Sequence, residues 1–289
     1  MLSKRKKFIL YILAACILLA ALIAYETLTL SVERVEVPIA GLPAELEGLT
    51  IAHLADLHGR PYNPAGKLTQ AVRAANPDMI SAAGDFVHNS EAEVDALLPL
   101  FAALTEIAPV YAVSGNHDHW TDWLYIAEAL QSAGVEILQN RHIRLARNGK
   151  ELIVAGVGDP FTGHDRLDLA LPEIIDSPVV LIAHAPNWFE PLYRQRFAGT
   201  KDFKQREALL AHVDLVLAGH THGGQIKFPL IGAVTTASGR LFPRTHVEGL
   251  IREKTSWLYI SRGLGQSGFP PVRFLSRPEL TILILRQEG

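Results

Sequence analysis

The feature that most constrains this chain is a series of short apolar runs that each stop at a residue able to do chemistry. Residues 49–54 run into Asp56 and His58, residues 79–83 into Gly84 and Asp85, and residues 110–113 into Gly115, Asn116, His117 and Asp118. Residues 179–183 end at His184, and residues 213–218 run into Gly219, His220, Thr221 and His222. Uninterrupted apolar runs this short, bounded by turn residues, suit strands buried on both faces. Segments of helical period, such as 68–75 and 91–104, lie between them, and strands alternating with helices imply an α/β domain. With 289 residues, 48% of them hydrophobic, the chain can fill a core of that kind.

Toward the C-terminus the helical pattern stops. Residues 233–236, 256–260 and 280–285 read as strands joined by glycine- and proline-rich turns, which predicts mixed sheets with an antiparallel part at the end. There is no internal repeat and no low-complexity tract, so residues 49–289 are expected to form one domain. Residues 31–48 read as a connector: 31–37 alternate like a strand, then Pro38, Gly41 and Pro43 interrupt.

Lys4, Arg5, Lys6 and Lys7 precede an uncharged apolar run from residue 8 to 25, close to the roughly 20 residues that span a bilayer. Residues 1–30 are therefore expected to be a basic cytoplasmic tip and a single transmembrane anchor in a bacterial inner membrane. The basic cluster places the rest of the chain on the non-cytoplasmic side. A cleaved signal peptide is the rival reading, and Leu13-Ala14-Ala15-Cys16 resembles a lipoprotein processing site, yet the run stays apolar through Ala24. Cys16 is the only cysteine and has no intramolecular partner. A formal charge of −3 and a pI near 6.5 give no bulk attraction to phosphate backbones, which argues against nucleic acid as a partner.

In α/β folds, loops beyond the carboxyl ends of strands aim side chains at a common point. The groups at these ends form an oxygen and nitrogen donor set with no thiolate, which suits Mn, Fe or Zn. Asp56 and His58 are two residues apart, as are His220 and His222, so an extended backbone would present both members of each pair on one side. Glycines at 84, 115, 219, 223 and 224 permit close approach of backbone to a ligand. Taken singly, a Gly-Asp is more often a turn, and His184 alone reads equally as a satisfied core histidine. Their joint occurrence in order points to a metal centre.

The series Asp-x-His, Gly-Asp, Gly-Asn-His-Asp, His and Gly-His-x-His resembles the calcineurin-like metallophosphoesterases from about residue 49 onward. Residues 219–229, 259–265 and 273–285 resemble the membrane-anchored bacterial branch, some members of which hydrolyse UDP-2,3-diacylglucosamine in lipid A synthesis. The resemblance implies two mixed β-sheets packed as a sandwich and flanked by helices. It also implies two divalent metal ions, one held by Asp56, His58, Asp85 and His222, the other by Asp85, Asn116, His184 and His220, with Asp85 bridging. His117 would stabilise the transferred phosphoryl group and protonate the leaving oxygen, and Asp118 would orient His117. His88 stands where relatives often carry a small polar residue, a departure able to alter hydrogen bonding around the ligands. The implied activity is hydrolysis of a phosphodiester or pyrophosphate bond in a lipid-linked substrate. A soluble phosphomonoester or nucleotide, and a catalytically silent membrane-tethered metal-binding domain, remain as alternatives; the oligomeric state is left open.

Residues 185–211 carry Trp188, Phe189, Tyr193, Phe197 and Phe203 among Arg194, Arg196, Lys201, Lys204 and Arg206. The stretch reads either as a lid facing an anionic lipid or as an amphipathic cover packed on the domain. Gly263, Gly265 and Gly268 have the spacing of a dinucleotide fingerprint, but Phe269-Pro270-Pro271 cannot open the helix that motif requires, so the segment is expected to be a turn or rim loop.

Overall fold

A strand buried on both faces must send alternate side chains into two different cores, and the main strands do so. The computed structural model describes residues 3–237, 239–268 and 271–289, so Phe269 and Pro270 of the glycine-rich segment lie outside the described residues. The first strands are β1 (Ser31–Ile39), β2 (Thr50–Leu54), β3 (Met79–Ala83), β4 (Val110–Val113) and β5 (Glu136–Ile137). They are followed by β6 (Arg141–Arg147), β7 (Lys150–Gly156), β8 (Val179–Ile182) and β9 (Leu215–Ala218). The last are β10 (Lys227–Phe228), β11 (Gly232–Ala233), β12 (Gly249–Glu253), β13 (Ser256–Ile260) and β14 (Glu279–Gln287). Among the described residues they make one six-stranded sheet ordered β1-β14-β2-β3-β4-β5, a second ordered β12-β13-β9-β8-β7-β6, and the β10–β11 hairpin.

Both large sheets are mixed: β2 to β5 run parallel while β14 is antiparallel to β2, and β7, β8, β9 and β13 run parallel between antiparallel β6 and β12. Ile51, Met79 and Leu283 from one sheet meet Val180, Leu215 and Leu217 from the other in a central core. Their strand neighbours Ala52, Ile80 and Ile282 face the opposite way. That outer face is covered by α2 (Lys67–Ala75), α3 (Leu98–Thr105) and α5 (Trp123–Ser132), with the short α4 (Asn116–Trp120) between the last two. The outer face of the second sheet lies under α6 (Leu167–Ala170), α7 (Pro191–Phe197) and α8 (Lys201–Leu210). The result is the expected helix–sheet–sheet–helix sandwich, in which each fully buried Leu, Ile or Val contributes about 1.5–3 kcal/mol.

Helix α2 shows why the local pattern suffices. Leu68 and Val72 bury one face, and the helix ends where Asn76 takes a left-handed backbone at φ 46 and returns its N–H to the Val72 carbonyl. The expected helix over 91–104 is instead a 3₁₀ segment, Glu91–Ala96, followed by α3 with Pro99 in its first turn. Proline has no N–H to continue a preceding helix but fits the start of a new one.

The segment expected to connect anchor and domain contains a full strand. β1 pairs along its length with β14, and Pro38 sits within it opposite Arg286. Proline is tolerated there because β1 is the edge of its sheet. Ahead of it, α1 (Lys4–Leu28) is exposed, apolar and long enough to cross a membrane. β1 starts at the carboxyl end of β2: Ser31 lies opposite Glu279, and Thr281 lies opposite His53. The long helix thus enters the domain at the end of the sheet where the chemistry-bearing loops gather.

Residues 185–211 form a packed cover. Trp188 and Phe189 are buried against the second sheet and Phe203 is buried beside them, Arg194 pairs with Glu207 and Glu253, and Arg206 with Asp165. These contacts spend the buried aromatics and two of the five basic side chains on the domain itself, which favours the packed cover over a lid; Arg196, Lys201 and Lys204 stay exposed.

Candidate metal centre

The loops after β2, β3, β4, β8 and β9 converge at one end of the sandwich. Asp56, His58 and His222 bring one ligand-type atom each to a first cluster, and Asp85, His184 and His220 do so at a second, within 4.8 Å of one another in each case. Asp85 reaches both, with Oδ2 3.3 Å from His184 Nε2 and 3.6 Å from His58 Nε2. Asn116 Oδ1 lies 3.0 Å from His184 Nε2 and 2.9 Å from His220 Nδ1. All seven residues are buried.

The two-residue spacings work differently from an extended strand. Asp56, His58, Asp85, His220 and His222 have φ values of 53, 47, 53, 69 and 54, a left-handed backbone that costs non-glycine residues energy and clusters at functional sites. His220 and His222 consequently serve different clusters rather than one side of a strand. Two glycines make room for the carboxylates: a Cβ on Gly115 would stand 2.3 Å from Asp85 Oδ1, and one on Gly219 would stand 2.4 Å from Asp56 Oδ2.

Hydrogen bonding shows that these groups want positive charge between them. The Ala83 carbonyl can only accept, so His184 Nδ1 donates to it at 2.8 Å, and a neutral ring then aims its Nε2 lone pair at the oxygens of Asn116 and Asp85. A lone pair that faces oxygen lone pairs requires a shared proton or a cation. His58 and His222 bring two Nε2 atoms within 3.1 Å, a contact bridged by the His222 Nε2 proton when Nδ1 of that ring accepts from Arg273. Burial pushes the Asp56 carboxyl up to about 7, with Asp85 adding to the push against the pull of His184. Burial disfavours a charged His184, yet the Asp85 carboxylate beside it holds the imidazole well above its ordinary value. Two carboxylates, one amide oxygen and four imidazoles fit a pair of divalent cations of the Mn, Fe or Zn class.

His117 stands at the rim, its ring centroid 4.7 Å from that of His58. The expected orienting bond from Asp118 is absent. His117 Nδ1 donates to the His88 carbonyl at 2.6 Å, and Asp118 accepts from the backbone N–H groups of Asp85, Phe86 and Gly115 at 2.8 to 2.9 Å. Asp118 therefore clamps the two ligand loops together, because a buried carboxylate gains more from several fixed N–H donors than from one ring. The His88 side chain stacks on His117 at 4.9 Å.

One contributor carried no sequence signal. Arg273 is fully buried and donates to the carbonyls of Gly265, Ser276 and Arg262, with Nη2 3.3 Å from His222 Nδ1. It ties residues 262–265 and 273–276 together beside the His222 ring, a role that no local motif announces.

Residues 49–224 match the family model of the calcineurin-like phosphoesterases. The chain belongs to that family. It is a metallophosphoesterase, a hydrolase of phosphoric esters in a family that works with two metal ions. Among curated relatives it is 27% identical to the uncharacterized metallophosphoesterase YkuE of Bacillus subtilis, over 85% of this chain and 82% of that one. It is 30% identical to the phosphodiesterase YaeI of Escherichia coli, over 81% of each chain. It is 33% identical to the Bos taurus transmembrane protein with metallophosphoesterase domain, over 89% of this chain but 57% of that one, so it spans just over half of that relative.

Proposed function

We propose that this metallophosphoesterase cleaves a phosphodiester or pyrophosphate bond in a lipid-linked substrate, UDP-2,3-diacylglucosamine being the representative to test, from a single-pass anchor in a bacterial inner membrane with its domain on the non-cytoplasmic side. The observation that carries the chemistry is the pair of adjacent buried donor clusters, with Asp85 Oδ2 between His184 of one and His58 of the other and His117 at their rim. One cation belongs with Asp56, His58, Asp85 and His222, the other with Asp85, Asn116, His184 and His220. Such a pair supplies charge against the phosphoryl oxygens and makes a water acidic enough to attack near neutral pH.

The chain's own groups do the rest. His117 commits Nδ1–H to the His88 carbonyl, which leaves Nε2 to hold a proton and deliver it to the leaving oxygen, a role worth about 10²–10⁴-fold. His117 N–H donates to Asp85 Oδ1 at 2.9 Å, so the acid and the Asp85 carboxylate keep a fixed relation. Asp118 and Arg273 hold the loops that carry them. For the lipid link, the support is that α1 joins the domain at the catalytic end and that a related protein is described as transmembrane.

The test is hydrolysis by the full chain in detergent, with Mn²⁺ and after chelation, of UDP-2,3-diacylglucosamine and of bis-p-nitrophenyl phosphate. Metal-dependent cleavage of the lipid well above the generic diester is expected; cleavage of the generic diester alone would overturn the lipid-linked substrate. His117→Ala should lower turnover by about 10²–10⁴-fold with metal content unchanged, and an undiminished rate would remove it as the acid.

A further inference from the structure

Outside α1, five exposed large apolar side chains fall within the single stretch 228–242: Phe228, Leu230, Ile231, Leu241 and Phe242. Leu241 is 74% exposed and Leu230 completely so. Water-soluble surfaces rarely concentrate apolar groups in this way unless something covers them.

The fold places this stretch beside the membrane helix. In the last turn of α1, Thr27 Oγ1 accepts from the Arg273 N–H at 2.9 Å, and the Thr27 carbonyl accepts from Arg60 at 3.3 Å. The next residue, Phe274, is laced to the start of the hairpin: its N–H donates to the Gln225 carbonyl at 3.0 Å and its carbonyl accepts from Lys227 at 2.9 Å. The hairpin therefore begins about 4.8 Å, one strand spacing, from the segment on which the anchor lands. At about 1.5 Å per residue the 25 residues of α1 reach roughly 37 Å, slightly more than the roughly 30 Å hydrocarbon core, so its last turn sits at the interface. Tyr25 marks that level. Exposed Arg244 follows Phe242 closely, as befits contact with anionic head groups.

A cleft of about 490 Å³ is lined by Ile226, Phe228 and Val234 together with His222 of the metal centre. We propose that the surface formed by Phe228, Leu230, Ile231, Leu241 and Phe242 dips into the leaflet from which α1 emerges, and that this cleft receives lipid hydrocarbon from there, leading the phosphate of an amphiphilic substrate to the metal centre. The inference rests on α1 being a membrane anchor and deepens the lipid-linked reading of the site by assigning where the apolar part of the substrate goes.

The test uses the full chain with Cys16→Ser and a single cysteine, Leu230→Cys, carrying an environment-sensitive fluorophore. It is reconstituted in phosphatidylcholine–phosphatidylglycerol vesicles with or without phosphatidylcholine bearing a nitroxide near the head of its acyl chain. A matching label at Lys150→Cys, exposed at the start of β7 and so at the far end of the sheet, is the reference. The Leu230 label should lose at least about half its emission to the nitroxide lipid while the Lys150 label is unaffected. Equal, negligible quenching at both sites overturns the proposal, as does a Leu230 label that ignores the lipid while the unlabelled Leu230→Cys thiol is oxidised by copper–phenanthroline to a disulfide between copies, which would assign the face to a second copy of this chain. A companion label at Val234→Cys should be quenched more by a nitroxide along the chain than by one attached to the head group; the reverse order would exclude hydrocarbon from the cleft. These readouts need neither metal nor turnover, so an inactive protein whose Leu230 label is quenched overturns the catalytic reading alone.

Discussion

His53 and His184 are both completely buried, both lie at or next to the carboxyl end of a parallel strand, and both give an N–H to a backbone carbonyl, yet they belong to different chemistries. His53, on β2, donates from Nε2 to Ala218 of the opposite sheet at 3.1 Å and accepts from Ser81 at Nδ1 at 2.7 Å. Both nitrogens are satisfied by neutral groups. Burial, partly offset by the Ala218 carbonyl, pushes it down to about 4. His184, two residues past β8, turns its second nitrogen toward Asp85, Asn116 and the His220 ring and is held well above the ordinary value. A buried histidine is a core residue when its second nitrogen meets a hydroxyl donor and a ligand candidate when it converges with a carboxylate, an amide oxygen and a second imidazole.

The comparison breaks most directly at the metal. His184→Ala is expected to weaken cation binding and turnover on the order of 1,000-fold, since removing one partner of a buried charged network costs about 3–5 kcal/mol. His53→Leu should leave metal content, measured by elemental analysis, unchanged; loss of metal in both variants would erase the distinction.

A second expectation concerns acid. An unfolded imidazole titrates near 6.5 and folded His53 near 4, so between those values the unfolded chain holds a proton that the fold excludes. The His53 contribution is present in full above about pH 6.5 and lost as pH falls toward 4, on the order of 3 kcal/mol at about 1.4 kcal/mol per unit. Urea unfolding at pH 7 and pH 4.5 should show a smaller difference for His53→Leu than for the unaltered chain, and parallel curves would contradict it. The smallest effect is Ser81→Ala, expected to cost about 1 kcal/mol by leaving His53 Nδ1 without its donor. An unchanged midpoint would mean that the bond contributes nothing.

The strands that hold the site were legible because burial on both faces leaves a continuous apolar run: 79–83 and 110–113 are β3 and β4 to the residue. β6 was not legible, since Arg141, Arg144 and Arg147 break its pattern, as an edge strand with solvent on one side permits. Of the strand expected over 233–236 only Ala233 pairs within β11. The residues of the centre were visible because each follows a strand, but the backbone that aims them was not. No residue type announces a left-handed Asp56 or His222 the way glycine would. The same limit explains Asp118, whose position in the Gly-Asn-His-Asp motif was plain while its true partners, the backbone N–H groups of Asp85, Phe86, Val87 and Gly115, depend on how the loops stack.

β14 lies between β1 and β2, so the strand that comes after the membrane helix has no neighbour until a segment roughly 250 residues later has been made. The first sheet therefore cannot be assembled in the order of synthesis. β2 to β5 can pair early through local crossings, whereas β1 must wait, its edge open, until the closing strand arrives. Such distant pairing slows folding. A ribosome stalled before residue 279 would carry a tethered, half-built sandwich lacking the strand that fixes the anchor to the site.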